Sequence, residues 1–507
     1  MTRKAACLPA LAALLSSCGS GNAPQSFAGL VRVSDAALPA GCSAAGQSGT
    51  FYSGSEVEPY LAVDPTDPAH LIGVWQQDRW SNGGAAGLMT GVSFDGGHTW
   101  IRTSGRFTQC TGNPAYERGS DPWVSIGPRG TAHQIGFGFN NHSATKAMMA
   151  SRSLDGGRTW TAPIELQRDT NPDFAIDKES ITADPLDSQL VYAVWDRLTG
   201  FTNPTSPDNT GPTWFTRSTD DGVTWEPARP IYDPGPDTQT VSNQIVVLPD
   251  GTLINFFTLI TQNSSKNPRS TAAVLRSTDK GLTWPQLVLI AEEQFVGAVN
   301  PKTGKGVRSG NVVPSIAVDA ASGALYAAWE DARFSAGERD GIAFSRSTDG
   351  GLSWSAPAQA NRAPRAQAFT PALAVAQGGK LGLAYYDLRN DVASDSDHLL
   401  ATRWLATSSD GGATWQETLL GGPFDLQNAP FAEGYFLGDY QGLASAGGSF
   451  LPLFVAVNNG STSNRTDVFF RPPDAALSAT PAVAQVEGEQ VGFLRSMRER
   501  WRFGTRR

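Results

Sequence analysis

The chain has 507 residues, a formal net charge of −9, 54 glycines and 33 prolines. The acidic balance gives nucleic-acid binding no electrostatic support. The length leaves room for several ordinary domains or for one large repeat array.

Residues 1–17 predict a signal peptide, since Thr2-Arg3-Lys4 is basic and the apolar run from Ala5 to Leu15 is too short to span a bilayer. The following Leu15-Ser16-Ser17-Cys18 resembles the bacterial lipobox. That resemblance implies cleavage before Cys18, lipid on its thiol, and a site at the cell envelope or surface. Ser20 in place of Asp implies transport onward to an outer membrane. Residues 18–50 then read as a lipidated cysteine, a tether and a short strand at 27–33. Cys7 leaves with the signal, so Cys42 and Cys110 are expected to form a disulfide in an oxidising compartment.

From residue 51 to 475 two phrases alternate. The first is a pair of short β runs joined by a turn, such as Tyr60-Leu-Ala-Val63 with Leu71-Ile-Gly-Val-Trp75, and Ser315-Ile-Ala-Val318 with Leu325-Tyr-Ala-Ala-Trp329. The second is Ser-x-Asp-x-Gly-x-Thr/Ser-Trp, found six times with its aspartates at 95, 155, 220, 279, 349 and 410. Such a period means a repeat architecture. Asp accepts nearby backbone N–H groups, Gly supplies a positive φ, and Trp opens the next strand and packs on a neighbouring unit. These aspartates are therefore expected to hold turns. A seventh unit, with strands near 440–445, 450–457 and 467–471, lacks the phrase. The strand at 27–33 is expected to supply its fourth strand and so close a ring. Residues 476–507 read as a linker and a basic tail.

The six phrases resemble the Asp-box of the sialidase-like (BNR-repeat) superfamily. The resemblance implies an all-β propeller of four-stranded blades, seven here with six the alternative. It also implies boxes on the face away from the ligand. The ligand face then holds the starts of first strands and the ends of second strands. Second strands end in acid–arginine phrases carrying Arg79, Arg197, Arg333 and Arg389. Arginine suits bidentate capture of a carboxylate, and sialidases hold the sialic-acid carboxylate with three. By the same resemblance Tyr440 is the nucleophile, Asp121 the acid and Glu179 the base. The sequence departs from the family at Gln244, where sialidases carry a glutamate. It also has no arginine in residues 254–260.

The expected activity is thus a sialidase-type glycoside hydrolase acting on terminal acidic sugars. A non-catalytic glycan- or protein-binding surface propeller is the alternative, and a polysaccharide lyase using His133 and Tyr440 the third reading. A monomer is expected, with no cofactor and no metal: His70, His98, His133, His142 and His398 lack ligand spacing.

Overall fold

The computed structural model describes residues 27–34, 38, 42, 46–265 and 267–474. The expected signal peptide, Cys18, its tether and residues 476–507 lie outside the described residues. The described chain is all-β, with three short 3-10 turns and no α-helix.

Strands follow one another in antiparallel groups. In the first group Phe51–Val63, Leu71–Trp80, Ala85–Ser93 and Ile101–Thr103 pair in sequence. Five more groups begin with the strands Arg118–Ile126, Ala175–Ala183, Thr238–Val247, Ser315–Val318 and Ala368–Ala376. A last group begins with Gly442–Ala446. These first strands touch one another in chain order, and Gly442–Ala446 also touches Phe51–Val63. The arrangement is propeller-like.

In the last group Ser449–Val457 pairs with Thr466–Phe470, which receives a fourth strand from the other end of the chain. That strand is Val31–Arg32, aligned antiparallel with Val31 opposite Phe470 and Arg32 opposite Phe469. It is shorter than the predicted 27–33, but its flanks are held. Phe27 stacks on Phe469 at 4.6 Å between ring centroids, and Ser34 Oγ donates to Asp467 Oδ1 at 2.9 Å.

Each Asp-box joins the third and fourth strands of its group with one bonding pattern. Asp95 Oδ1 accepts the Thr99 backbone N–H at 2.9 Å, and Oδ2 accepts the Thr99 hydroxyl at 2.6 Å. Ser93 Oγ donates to Asp95 Oδ1 at 2.8 Å while accepting the Gly97 N–H at 2.8 Å. Asp279 repeats the pattern on Thr283 at 2.9 and 2.6 Å, and Asp410 on Thr414 at 2.9 and 2.6 Å. Hydroxyl and N–H donors hold Asp95, Asp155, Asp279 and Asp349 down at about 2.

The second glycine is required twice over. Gly412 has φ 90°, and a Cβ there would lie 2.2 Å from Phe344 Cε1. The box tryptophans pack on the preceding group. Trp100 meets Phe470 edge-on at 5.4 Å, Trp284 meets Phe215 at 5.6 Å, and Trp415 meets Phe344 at 5.2 Å. Between the groups, Trp75, Trp195 and Trp329 of the second strands are fully buried.

The expected disulfide is not formed. Cys42 and Cys110 are free thiols. They face each other, and burial together with the Cys42 thiol raises Cys110 well above the usual thiol range.

Candidate active site

Five of the seven first strands share a local irregularity that builds the site. Their pairing register breaks at Val57/Tyr60, Ser120/Trp123, Asp177/Ser180, Val241/Gln244 and Phe369/Ala372. Inside each break one non-glycine residue has a left-handed backbone: Glu58 (φ 55°), Asp121 (52°), Lys178 (49°), Ser242 (64°) and Thr370 (51°). Each such residue costs about 1–2 kcal/mol. Bulges of this kind re-aim side chains. Three of the five form one buried charge cluster.

Lys178 Nζ is the centre of that cluster. It lies 2.8 Å from Asp121 Oδ1, 3.0 Å from Asp439 Oδ2 and 3.4 Å from Glu58 Oε1. Arg308 grips Asp439 with two bonds, Nε to Oδ1 at 3.0 Å and Nη2 to Oδ2 at 2.6 Å. The Asp439 N–H donates to Glu58 Oε1 at 3.2 Å, and Gln76 Nε2 donates to Glu58 Oε2.

Charge separates within this cluster. Burial would raise Asp121 and Asp439, but Lys178, and for Asp439 chiefly Arg308, hold both below the usual carboxylate range. Glu58 is raised by burial. Asp177 keeps some exposure toward the cavity, yet enclosure and the neighbouring Asp121 push it to about 7. Asp177 and Asp121 interact directly, and each biases where the other's proton sits. One carboxyl is a proton donor near neutrality and its partner an acceptor, the separation that acid–base chemistry uses.

Asp121, Asp177, Lys178, Arg308 and Asp439 line a cavity of about 1970 Å³, together with Arg79. No Asp-box residue lines it, so boxes and cavity occupy different parts of the molecule, as expected. Arg79 is 2% exposed, and among the described residues it pairs with no carboxylate. Its Nη1 donates to the Gly84 carbonyl, and its Nε has no partner. Burial and the nearby Arg308 guanidinium push Arg79 down to about 10. A second buried acid, Glu293, also lines the cavity and is raised to about 8 by burial while accepting the Thr258 hydroxyl at 3.0 Å.

The structure divides the sequence-predicted residues. Asp121 and Arg79 line the cavity; Tyr440, Glu179, Gln244, Arg197, Arg333 and Arg389 do not. The Tyr440 hydroxyl donates to the Pro122 carbonyl at 3.2 Å and its ring packs on Trp123 at 5.3 Å. Burial raises it well above the usual tyrosine value. Glu179 is 3% exposed, its carboxylate has no hydrogen-bond partner among the described residues, and burial raises it. Gln244 Nε2 donates to the Pro314 carbonyl at 2.7 Å.

The remaining arginines do not converge with Arg79 because each is closed on carboxylates, of its own group for Arg333 and Arg389 and of the preceding group for Arg197. Arg333 binds Asp331 through Nε at 2.8 Å and Nη2 at 2.7 Å, and Asp331 also accepts the Trp329 indole N–H at 2.8 Å. Arg389 binds Asp387 at 2.5 Å and Glu417 at 2.7 Å. Arg197 binds Asp169 at 3.0 and 2.8 Å. The recurring acid–arginine phrase is thus a strand-end clamp. His133, offered for a lyase, has Nε2 3.2 Å from Asp221 Oδ1 of the third box and lies away from the cavity.

Sequence reasoning gave no role to Lys178, Asp439, Arg308, Glu58 or Asp177. Lys178 and Asp439 adjoin the predicted Glu179 and Tyr440. Arg308 sits on the short strand Val307–Arg308, which pairs in parallel with Tyr435–Phe436.

Solved structures similar to this chain include the Hadza microbial sialidase Hz136, at 17% identity and a TM-score of 0.46, covering 82% of this chain and 75% of that one. A Penicillium chrysogenum α-L-arabinanase complexed with arabinobiose aligns at 12% identity and 0.47, covering 90% and 100%. The intramolecular trans-sialidase of Ruminococcus gnavus, in complex with oseltamivir carboxylate, aligns at 13% identity and 0.42, covering 86% and 99%. No protein-family model and no curated protein matches the sequence.

Proposed function

We propose that the seven strand groups are the blades of one closed ring, and that its central cavity hydrolyses a glycosidic bond of an acidic glycan. The supporting observation is that the Asp177 and Asp121 carboxyls share the wall of a cavity that also presents Arg79, which has no carboxylate partner among the described residues. Arg79 takes the sugar's carboxylate, which relieves a buried guanidinium held below its ordinary value. Protonated Asp177 gives its proton to the leaving oxygen as the C–O bond breaks, and water adds to the sugar carbon while its released proton returns to the Asp177 carboxylate. Asp121 and Asp177 interact directly, the charge on Asp121 favouring the proton on Asp177. They therefore act as one acid unit. Tyr440 has no part in this chemistry. The protein works outside the cytoplasm, held to the envelope by lipid on Cys18.

Purified protein is expected to release the fluorophore from aryl glycosides of sialic or uronic acids. Asp177→Asn should lower turnover by about 10²–10⁴, with wild-type rate falling as pH rises through about 7. Wild-type protein that turns over none of these glycosides sinks the hydrolase. The second reading, a binding propeller, is favoured by the closed ion pairs of Arg197, Arg333 and Arg389. Retention of an acidic glycan on immobilised protein without cleavage would support it.

A further inference from the structure

The cavity is lopsided. Its lining comes from residues 48–313 with Gly337, Glu433 and Asp439, and none from residues 338–432. At about 1970 Å³ it is roughly twice the upper end of ordinary small-ligand cavities, about 1,000 Å³. A single sugar seated against Arg79 and Asp177 leaves most of it empty. The excess lies over the second, third and fourth strand groups.

That arm has a built floor. Phe201 lines it and is 43% exposed, on a loop joining the second and third strands of the third group. The loop is pinned: the Phe201 N–H donates to the Asp173 carbonyl at 3.0 Å, and Thr202 Oγ1 donates to Asp173 Oδ1 at 2.6 Å. Asn209 Nδ2 donates to the Asn203 carbonyl at 2.8 Å. An open aromatic ring on a fixed loop inside a cavity is a stacking platform whose ordering cost is already met by the fold. Lys146 Nζ stands 5.8 Å from the ring centroid, and Asn141, Asn263 and Arg269 also line the arm. An aromatic face, amides and cations together match a chain of acidic sugars, each with an apolar face, hydroxyls and a carboxylate.

We infer that this arm holds further residues of the same glycan, so that the ligand is an acidic oligosaccharide of three or more units with Phe201 under one of its outer sugars. This rests on the proposed seating of an acidic sugar at Arg79. It turns the expected removal of terminal sugars into recognition of a stretch of polymer.

The test is calorimetric titration of Asp177→Asn protein, which blocks turnover, with oligogalacturonides and α2,8-linked oligosialic acids of one to five units. The expected result is affinity that rises with each unit to at least three in one of the two series. Phe201→Ala should weaken the trimer about fivefold more than the monomer, and Phe201→Tyr should keep the rise. Equal affinity for monomer and pentamer, or an unaltered length dependence in Phe201→Ala, overturns the outer subsites alone. Absence of binding by every compound of both series overturns the outer subsites and the acidic-sugar site together.

Discussion

The two rims of the molecule follow opposite rules. On the box rim six copies of one turn repeat the same bonds, such as the Asp–Thr pairs at 2.6 Å in Asp95, Asp155 and Asp410. On the first strands a shared left-handed bulge carries Glu58, Asp121, Lys178, Ser242 and Thr370, no two alike, and Asp121 and Lys178 among them line the cavity. The repeated residues hold the chain, and the divergent ones supply charge. A residue that recurs in every unit is therefore evidence of packing, whereas chemistry is found where the units disagree on a common backbone.

The largest expected effect attacks the cavity rim. Lys178→Met leaves Asp121, Asp439 and Glu58 buried around a missing cation. It should cost about 3–5 kcal/mol, read by urea denaturation. A loss under 1 kcal/mol would mean that the carboxylates are hydrated and the cluster is not a buried unit. On the box rim Gly412→Ala drives a Cβ into Phe344 at a φ of 90°. It should cost about 2 kcal/mol and leave glycoside turnover per folded molecule unchanged. Altered turnover would break the separation of the rims.

Tyr440→Phe is smaller still. It removes one hydrogen bond to the Pro122 carbonyl, about 1 kcal/mol, and should retain turnover. A Tyr440→Phe protein without activity would restore the tyrosine to the chemistry.

The rims also differ in pH response. Asp95, Asp155, Asp279 and Asp349 have folded values near 2, below the unfolded value near 4. Their stabilisation is present above about pH 4 and is lost as pH falls through about 2. Asp177 is raised to about 7, so its contribution is full below about pH 4 and is lost as pH rises through 7. Melting temperature measured from pH 2 to 9 should fall at both ends. Asp177→Asn should flatten only the upper limb.

The box rim was legible in the sequence because its bonds are local: donor and acceptor lie within four residues, and the glycines mark the positive φ. The last group was legible too, since its three β runs called for a fourth strand, and Val31–Arg32 does pair with Thr466–Phe470. The site was legible only in neighbourhood. Strand alternation fixes which side chains share a face, but the left-handed Lys178 breaks that alternation, so Lys178 faces the cavity and Glu179 does not. Asp439 and Tyr440 divide in the same way. The arginine phrase misled because Asp331 and Asp387 look the same in sequence whether their arginines point at a ligand or back at them. Arg308 carried no signal, since its strand pairs with residues more than a hundred positions away. Cys42 and Cys110 were correctly brought together, but as thiols.

The bulge on the first strands makes each of them a socket whose shape does not depend on what is plugged in. Two acids, a base and two hydroxyl residues already occupy five such sockets with φ between 49° and 64°. An exchange that keeps the buried charges in balance can thus set a new charge pattern on the same backbone, whereas one that strands a charge, as at Lys178, costs stability.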